Sequence, residues 1–225
     1  MILAAGFGTR MGSLTKDRPK PLIEVAGRPL IDHALTQARE GGATRIVVNG
    51  HYRADQMRAH LAPMRDVAFS EEQVQILDSG GGIRHALPLL DSDSFFTLNA
   101  DAVWTGPNAL RHLAAMWTPD RMDILALLVP RARAVGRQGA GDFKMDATGR
   151  LALDPAGPVY TGAQIVKAAV FEGTPDGPFS LHEVWRAAMK RGRMAGTLHA
   201  GRWADVGHPG GIALAEAMLC EAGDV

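Results

Sequence analysis

Cysteine is almost missing from this chain. Cys220 is the one thiol in 225 residues, so no internal disulfide can form. A disulfide-stapled secreted scaffold is excluded, and a reducing cytoplasm is the expected setting. No apolar run approaches the roughly 18 residues that a spanning helix needs, which argues against a membrane protein. Met1-Ile2-Leu3-Ala4-Ala5 is apolar, yet it lacks a basic flank and breaks at once into glycine; a signal peptide carries a longer core. Excess charge of either sign is lacking too. Lys plus Arg and Asp plus Glu total 24 each, so no global field selects nucleic acid or an anionic bilayer as a partner. Any phosphate recognition must come from a local cluster.

What is there reads as one sizeable domain. The hydrophobic fraction of 46% and charged fraction of 21% are those of an ordinary globular protein. Short apolar runs alternate with amphipathic stretches. Strands are expected at Met1 to Ala5, Ile46 to Asn49, Asp66 to Ser70, Phe95 to Asn99 and Asp123 to Val129. Helices are expected at Pro29 to Glu40, Arg53 to Leu61, Gly80 to Leu90 and Pro107 to Trp117. Strands separated by helices of this size imply a Rossmann-like, mostly parallel α/β sheet with helices on both faces. Past Pro130 the pattern changes. A hairpin turning at Ala147-Thr148-Gly149 is followed by strands at Ala163 to Val166 and Ala195 to His199. A helix lies between them at Leu181 to Arg191, and another closes the chain from Pro209 to Glu221. The expected division is a nucleotide-binding part at 1–130, a small inserted β lobe on the same sheet at 131–205, and a C-terminal helix at 206–225.

Leu3-Ala4-Ala5-Gly6-Phe7-Gly8-Thr9-Arg10-Met11-Gly12 follows the first strand. Ligands of open parallel sheets bind at the carboxyl ends of strands, and glycines let backbone N–H groups come close to phosphate. Both a G-x-G-x-x-G fingerprint and a Walker A loop beginning at Gly6 need glycine where Met11 stands. Downstream lie Arg10, Lys16, Arg18 and Lys20, with Asp17 the one acid among them. Four cations on one glycine-bearing loop would neutralise much of a triphosphate, although the cations alone also fit a solvated surface loop. Pro19 and Pro21 restrict the backbone on either side of Lys20.

Two aspartates stand at the ends of apolar segments. Asp101, in Asn99-Ala100-Asp101, would emerge at the sheet edge that carries the glycine loop. Asp205 lies in Trp203-Ala204-Asp205-Val206-Gly207. Mg2+ takes few protein carboxylates and completes its octahedron with phosphate oxygens and water, so two aspartates meeting across a nucleotide would suit it. Singly, each also reads as a turn or capping residue. Ser79-Gly80-Gly81-Gly82-Ile83 opens a helix whose free N–H groups would meet a base carbonyl or a phosphate, or else forms a plain loop.

These segments together resemble sugar-1-phosphate nucleotidyltransferases. LAAGFGTRMG and RPKPL, from Leu3 to Leu22, are similar to that family's signature; the N-G-D and W-x-D-x-G segments are matched at 99–101 and 203–207, with Ala100 in place of glycine. The resemblance implies a GT-A-like nucleotidyltransferase fold. It implies that Leu3, Ala4, Ala5, Gly6 and Gly8 wrap the nucleotide, Arg10 holds the outer phosphates and Lys20 neutralises the reacting α-phosphate. Asp101 and Asp205 would hold Mg2+, and Gly81 and Gly82 would read the base edge. The form GGGI, followed by Ala86-Leu87-Pro88-Leu89-Leu90, with Gly141-Asp142-Phe143 and Tyr160-Thr161-Gly162, is most similar to the N-acetylmuramate-1-phosphate uridylyltransferase branch. That branch implies UTP and a sugar 1-phosphate as partners, in nucleotide-sugar biosynthesis for the cell wall and peptidoglycan recycling. Asn99, Asp142, Thr161 and Gly162 would face the sugar phosphate. Relatives acting on hexose phosphates carry an E-K-P segment where this chain has Leu153-Asp154-Pro155-Ala156. Rival readings are a mannose- or heptose-1-phosphate guanylyltransferase, a glycosyltransferase and a non-catalytic nucleotide-sensing module. The glycosyltransferase's D-x-D string at Asp91-Ser92-Asp93 precedes its strand and so falls at the wrong sheet edge. Base, sugar and oligomeric state stay open.

Overall fold

A computed structural model describes residues 1–223. Its centre is a seven-stranded sheet. From one edge to the other the strands are Met194–Leu198, Ile124–Val129, Val159–Lys167, Ser94–Asn99, Ile2–Leu3, Ile46–Gly50 and Val67–Glu71. Val159–Lys167 runs antiparallel to both of its neighbours, and the other pairings are parallel. The unbroken apolar run Ile124–Val129 is buried at every position, as a strand covered on both faces must be.

The described residues form six α-helices, of which the first five pack against this sheet: α1 (Leu30–Glu40), α2 (Ala54–Leu61), α3 (Asp78–Leu90), α4 (Ala109–Met116), α5 (Leu181–Lys190) and α6 (Pro209–Ala222). The period-two alternation of a strand divides the core. Leu125, Leu127 and Val129 join Leu35 of α1, Met57 of α2 and Leu110 of α4 on one face. Ile124, Ala126 and Leu128 join Ile83 of α3 and Trp185 of α5 on the other. A third cluster lies beyond the sheet, where Met218 and Leu219 of α6 cover Met11, Ile23, Val103 and Val206. That cluster ties the glycine loop to the segment carrying Asp205.

The expected helices form, and side chains cap the starts of α4 and α5. α4 begins after Asn108, whose side chain accepts from the N–H groups of Leu110 and Arg111, so Pro107 lies outside it. The region 131–205 is less of a lobe than its position in the chain suggests. Its strands Val159–Lys167 and Met194–Leu198 lie inside the central sheet, and the hairpin Phe143–Met145 with Leu151–Leu153 is what stands apart. A second, three-stranded sheet escapes sequence reading. Trp203–Asp205 pairs antiparallel with Ala102–Trp104 and parallel with Ala134–Val135. Strands of two or three residues carry too little periodicity to register in a sequence.

Candidate functional site

An open cleft of about 320 Å³ lies at the carboxyl ends of the central strands. The glycine loop forms one wall and Asn99-Ala100-Asp101 another. Local chemistry explains how the loop is shaped. Gly8 has φ +65°, and a Cβ there would meet the Lys20 Cβ at 2.8 Å, so the loop depends on glycine to let the lysine stem pass. Pro19 is extended and leads into a short 3-10 turn, Lys20–Leu22. That turn delivers the Lys20 side chain into the cleft, where its Nζ donates to Asp101 Oδ2 at 2.6 Å across 81 residues of chain. The Lys20 side chain is 11% exposed and that of Asp101 30%. With the lysine buried, desolvation offsets much of the attraction between the two charges, so the significance of the pair is its position.

The second sheet brings in the other carboxylate. Asp205 is paired with Ala102, and the N–H of Val206 donates to the Asp101 carbonyl at 3.0 Å. Asp205 is buried. Burial raises its pKa first and the neighbouring Asp101 raises it further, while Lys20, Arg10 and Arg137 pull it back. Arg10 reaches the same spot: a Cβ on Gly207 would lie 3.0 Å from both an Arg10 guanidinium nitrogen and Asp205 Oδ1. Two carboxylates and two cations thus gather at one end of the cleft. Of the four cations expected to cluster, Arg10 and Lys20 line it, and Lys16 and Arg18 are exposed on the loop's outer side.

At the other end the floor is a chain of buried polar groups. Asn49 accepts from the Ala4 N–H at 2.8 Å and donates to Glu72 Oε1 at 2.6 Å, and Glu72 Oε2 accepts from the Leu77 N–H at 2.7 Å. Neither Asn49 nor Glu72 was singled out in the sequence. A polar residue at the end of the apolar strand Ile46-Val47-Val48-Asn49 was the available signal.

The structure places several of the expected site residues away from the cleft. Gly81 and Gly82 do not line the cleft; Asp78 and Ser79 do. α3 starts at Asp78, two residues before the glycines, and the N–H groups of Gly80 and Gly81 both donate to the Phe179 carbonyl, so they are not free for a ligand. The glycines serve close packing instead. A Cβ on Gly81 would sit 2.3 Å from the Gly177 carbonyl oxygen, and one on Gly82 would sit 2.6 Å from Glu72 Oε1. Thr161 is fully buried, with its hydroxyl donated to the Leu127 carbonyl at 2.7 Å. Gly162, at φ +81°, makes room for Asn99, whose Cγ would be 2.6 Å from an added Cβ. Asn99 lines the cleft. Asp142 is held by the Tyr160 N–H at 2.9 Å and by Arg137 at 3.2 Å.

The chain was compared with known proteins. Residues 1–209 match the MobA-like NTP transferase domain. An N-acetylmuramate alpha-1-phosphate uridylyltransferase from Caulobacter vibrioides is 42% identical over 236 residues, covering 99% of this chain and 97% of that protein. One from Neisseria meningitidis serogroup B is 33% identical over 215 residues, covering 92% of each. Among solved structures, the inositol-1-phosphate CTP transferase from T. maritima shares the fold with a TM-score of 0.80 at 18% identity, covering 97% of this chain and 94% of that one. No helix among the described residues is long and apolar enough to cross a membrane. With the motif-bearing loop, the paired aspartates and full-length relatives in agreement, the chain belongs to the MobA-like NTP transferase family, a nucleotidyltransferase with N-acetylmuramate alpha-1-phosphate uridylyltransferases among its relatives.

Proposed function

We propose that the protein transfers UMP from UTP to N-acetylmuramate 1-phosphate, giving the UDP-sugar and pyrophosphate. The observation that carries this reading is the 2.6 Å contact between Lys20 and Asp101, beside Asp205 and Arg10, at the mouth of a glycine loop. UTP and the muramate sugar come from the relatives' activities.

An oxygen of the sugar phosphate forms a bond to the α-phosphorus of the nucleotide as the bond to pyrophosphate breaks on the opposite side. The nucleophile is already an anion, so no strong base is required; the chemistry needs positioning and neutralisation of developing charge. Lys20 leaves Asp101 to meet the α-phosphate, Arg10 meets the outer phosphates, and the backbone of Ala4 to Gly8 holds the nucleotide. Asp101 and Asp205 would hold Mg2+, which when bound draws charge from the phosphate oxygens. The donor set fits that ion. Among the described residues no three His, Cys, Asp or Glu side chains gather around one point, and magnesium needs only one or two carboxylates beside phosphate and water. The strain that Asp101 imposes on Asp205 is what a divalent cation relieves.

The test is pyrophosphate release from four NTPs crossed with several sugar 1-phosphates, with and without chelator. The expected result is strong turnover with UTP and N-acetylmuramate 1-phosphate that chelator abolishes. Turnover confined to GTP and mannose 1-phosphate would overturn the substrate and keep the reaction class. No pyrophosphate from any combination would leave a nucleotide sensor or a glycosyltransferase.

A further inference from the structure

Asp142 poses a problem for the sugar side of this site. A carboxylate facing a sugar phosphate would repel it, yet the residue lies in the segment that resemblance places there. Its hydrogen bonds resolve the conflict. Oδ2 accepts from the Tyr160 N–H at 2.9 Å and Oδ1 from the Arg137 guanidinium at 3.2 Å. Both carboxylate oxygens are engaged and that side chain is 28% exposed, so the hydrogen-bonding capacity left to the pair is the remaining N–H groups of the arginine. The Arg137 side chain is 32% exposed.

The second sheet fixes where that arginine lies. Its strand order places Trp203–Asp205 between Ala102–Trp104 and Ala134–Val135. Asp101 precedes the first of these neighbours and Gly136-Arg137 follows the second. Gly136, at φ +71°, packs so closely that a Cβ would be 2.7 Å from the Asp205 carbonyl oxygen. Asp205 therefore has Asp101 and Lys20 on one flank and Arg137 on the other, and the Arg137 charge is among those that steady its carboxylate. In-line transfer brings the nucleophile in from the side opposite the leaving pyrophosphate. Lys20 and Arg10 serve the triphosphate, so the sugar substrate needs a separate cation.

We infer that Arg137 binds an oxyanion of the sugar substrate, with Asp142 as the positioning residue that holds the guanidinium in place. The inference rests on the proposed reaction. Guanidinium suits the task because its planar fork can give two N–H bonds to a phosphate or carboxylate while another nitrogen stays on Asp142. N-acetylmuramate 1-phosphate carries both kinds of oxyanion, the phosphate and the lactyl carboxylate.

The experiment measures steady-state pyrophosphate release by wild type, Arg137→Ala, Arg137→Lys and Asp142→Asn, each checked by thermal melting. Arg137→Ala is expected to raise KM for the sugar phosphate roughly 10- to 100-fold, the range for losing a hydrogen bond to a charged group, while KM for UTP stays put. Arg137→Lys should recover part of the loss, and Asp142→Asn should show a smaller rise in the same KM alone. N-acetylglucosamine 1-phosphate, which has the phosphate and lacks the carboxylate, serves as competitor. A weakened Ki in Arg137→Ala assigns the phosphate as the ligand, and an unchanged Ki assigns the carboxylate. An active, folded Arg137→Ala with unaltered sugar KM, or with both KM values raised together, overturns the inference and leaves the reaction intact. If Arg137→Ala fails to fold, the same criteria apply to Arg137→Lys. An inactive wild type overturns the reaction and the inference with it.

Discussion

The two flanks of the cleft are built in opposite ways. The nucleotide flank is local: Leu3 to Leu22 supply the glycine loop, Arg10 and Lys20 in one stretch, and the loop's shape follows from Gly8 and two prolines. The flank proposed for the sugar draws on Asn99, which lines the cleft, and on the cluster of Arg137, Asp142 and Tyr160, which comes together only through the antiparallel strand Val159–Lys167 and the small second sheet. Asp205 stands where the two meet. A locally encoded flank suits a ligand portion common to all substrates, the triphosphate. A flank gathered from distant loops can change its sugar without disturbing the phosphate chemistry.

If the nucleotide flank and the two aspartates carry the chemistry, the largest losses come from there. Asp101→Asn is expected to lower kcat by about 10³-fold, as removal of a metal-holding carboxylate costs several kcal/mol in the transition state. Lys20→Ala should cost roughly 10²- to 10³-fold in turnover. Single-turnover kinetics at saturating magnesium would check both, and an unchanged rate for Lys20→Ala would remove that residue from the mechanism.

Gly82→Ala tests whether the buried floor supports the loop. The added methyl would press on Glu72 and Asn49 and disturb the bond from Asn49 to Ala4. The expected outcome is a raised KM for UTP, an unchanged KM for the sugar phosphate, and about 1–3 kcal/mol less stability in denaturant titrations. Thr161→Val probes the sugar flank from its core side. Its hydroxyl bonds a main-chain carbonyl, so loss of about 1 kcal/mol of stability with both KM values intact is expected. A raised sugar KM would return Thr161 to the site.

The smallest effect is on stability, and its sign is informative. The pKa of Asp205 is raised above the ordinary carboxylate value of 3.8, by burial and then by Asp101. Protonating it therefore stabilises the folded, metal-free protein. That contribution is present below 3.8 and is lost as pH rises through the raised value. Asp205→Asn should melt at a higher temperature than wild type at pH 7 in chelator, and the gap should narrow as pH falls. A lower Tm for the variant would mean that Asp205 is stabilised by its cations more than burial costs it.

The sequence was most legible where chemistry and chain order coincide. The glycine loop, Lys20 and the strand leading to Asp101 could be read because each occupies a contiguous segment with its own residue pattern. The helices on both faces followed from their spacing, whereas the start of α4 did not, because the capping role of Asn108 was not read from the sequence. Gly81 and Gly82 misled because a glycine can signal a ligand or a close neighbour, and here Gly177 and Glu72 are the neighbours. Asp142 was expected to face the sugar phosphate; its bonds to the Tyr160 N–H and to Arg137, whose place follows a two-residue strand, had no signal in the sequence. Asn49 and Glu72 were missed because their bonds join strands that only the sheet order brings together.

The bond from Val206 N–H to the Asp101 carbonyl bears on how the enzyme is made. During synthesis, the glycine loop, Lys20 and Asp101 emerge long before Trp203–Asp205 exists to pair with Ala102–Trp104. The second carboxylate arrives only after the whole segment between them, followed by the α6 residues that cover the junction. A chain grown only a little past Asp101 therefore has the glycine loop and Lys20 without Asp205, and the two carboxylates meet only once Trp203–Asp205 has paired with Ala102–Trp104.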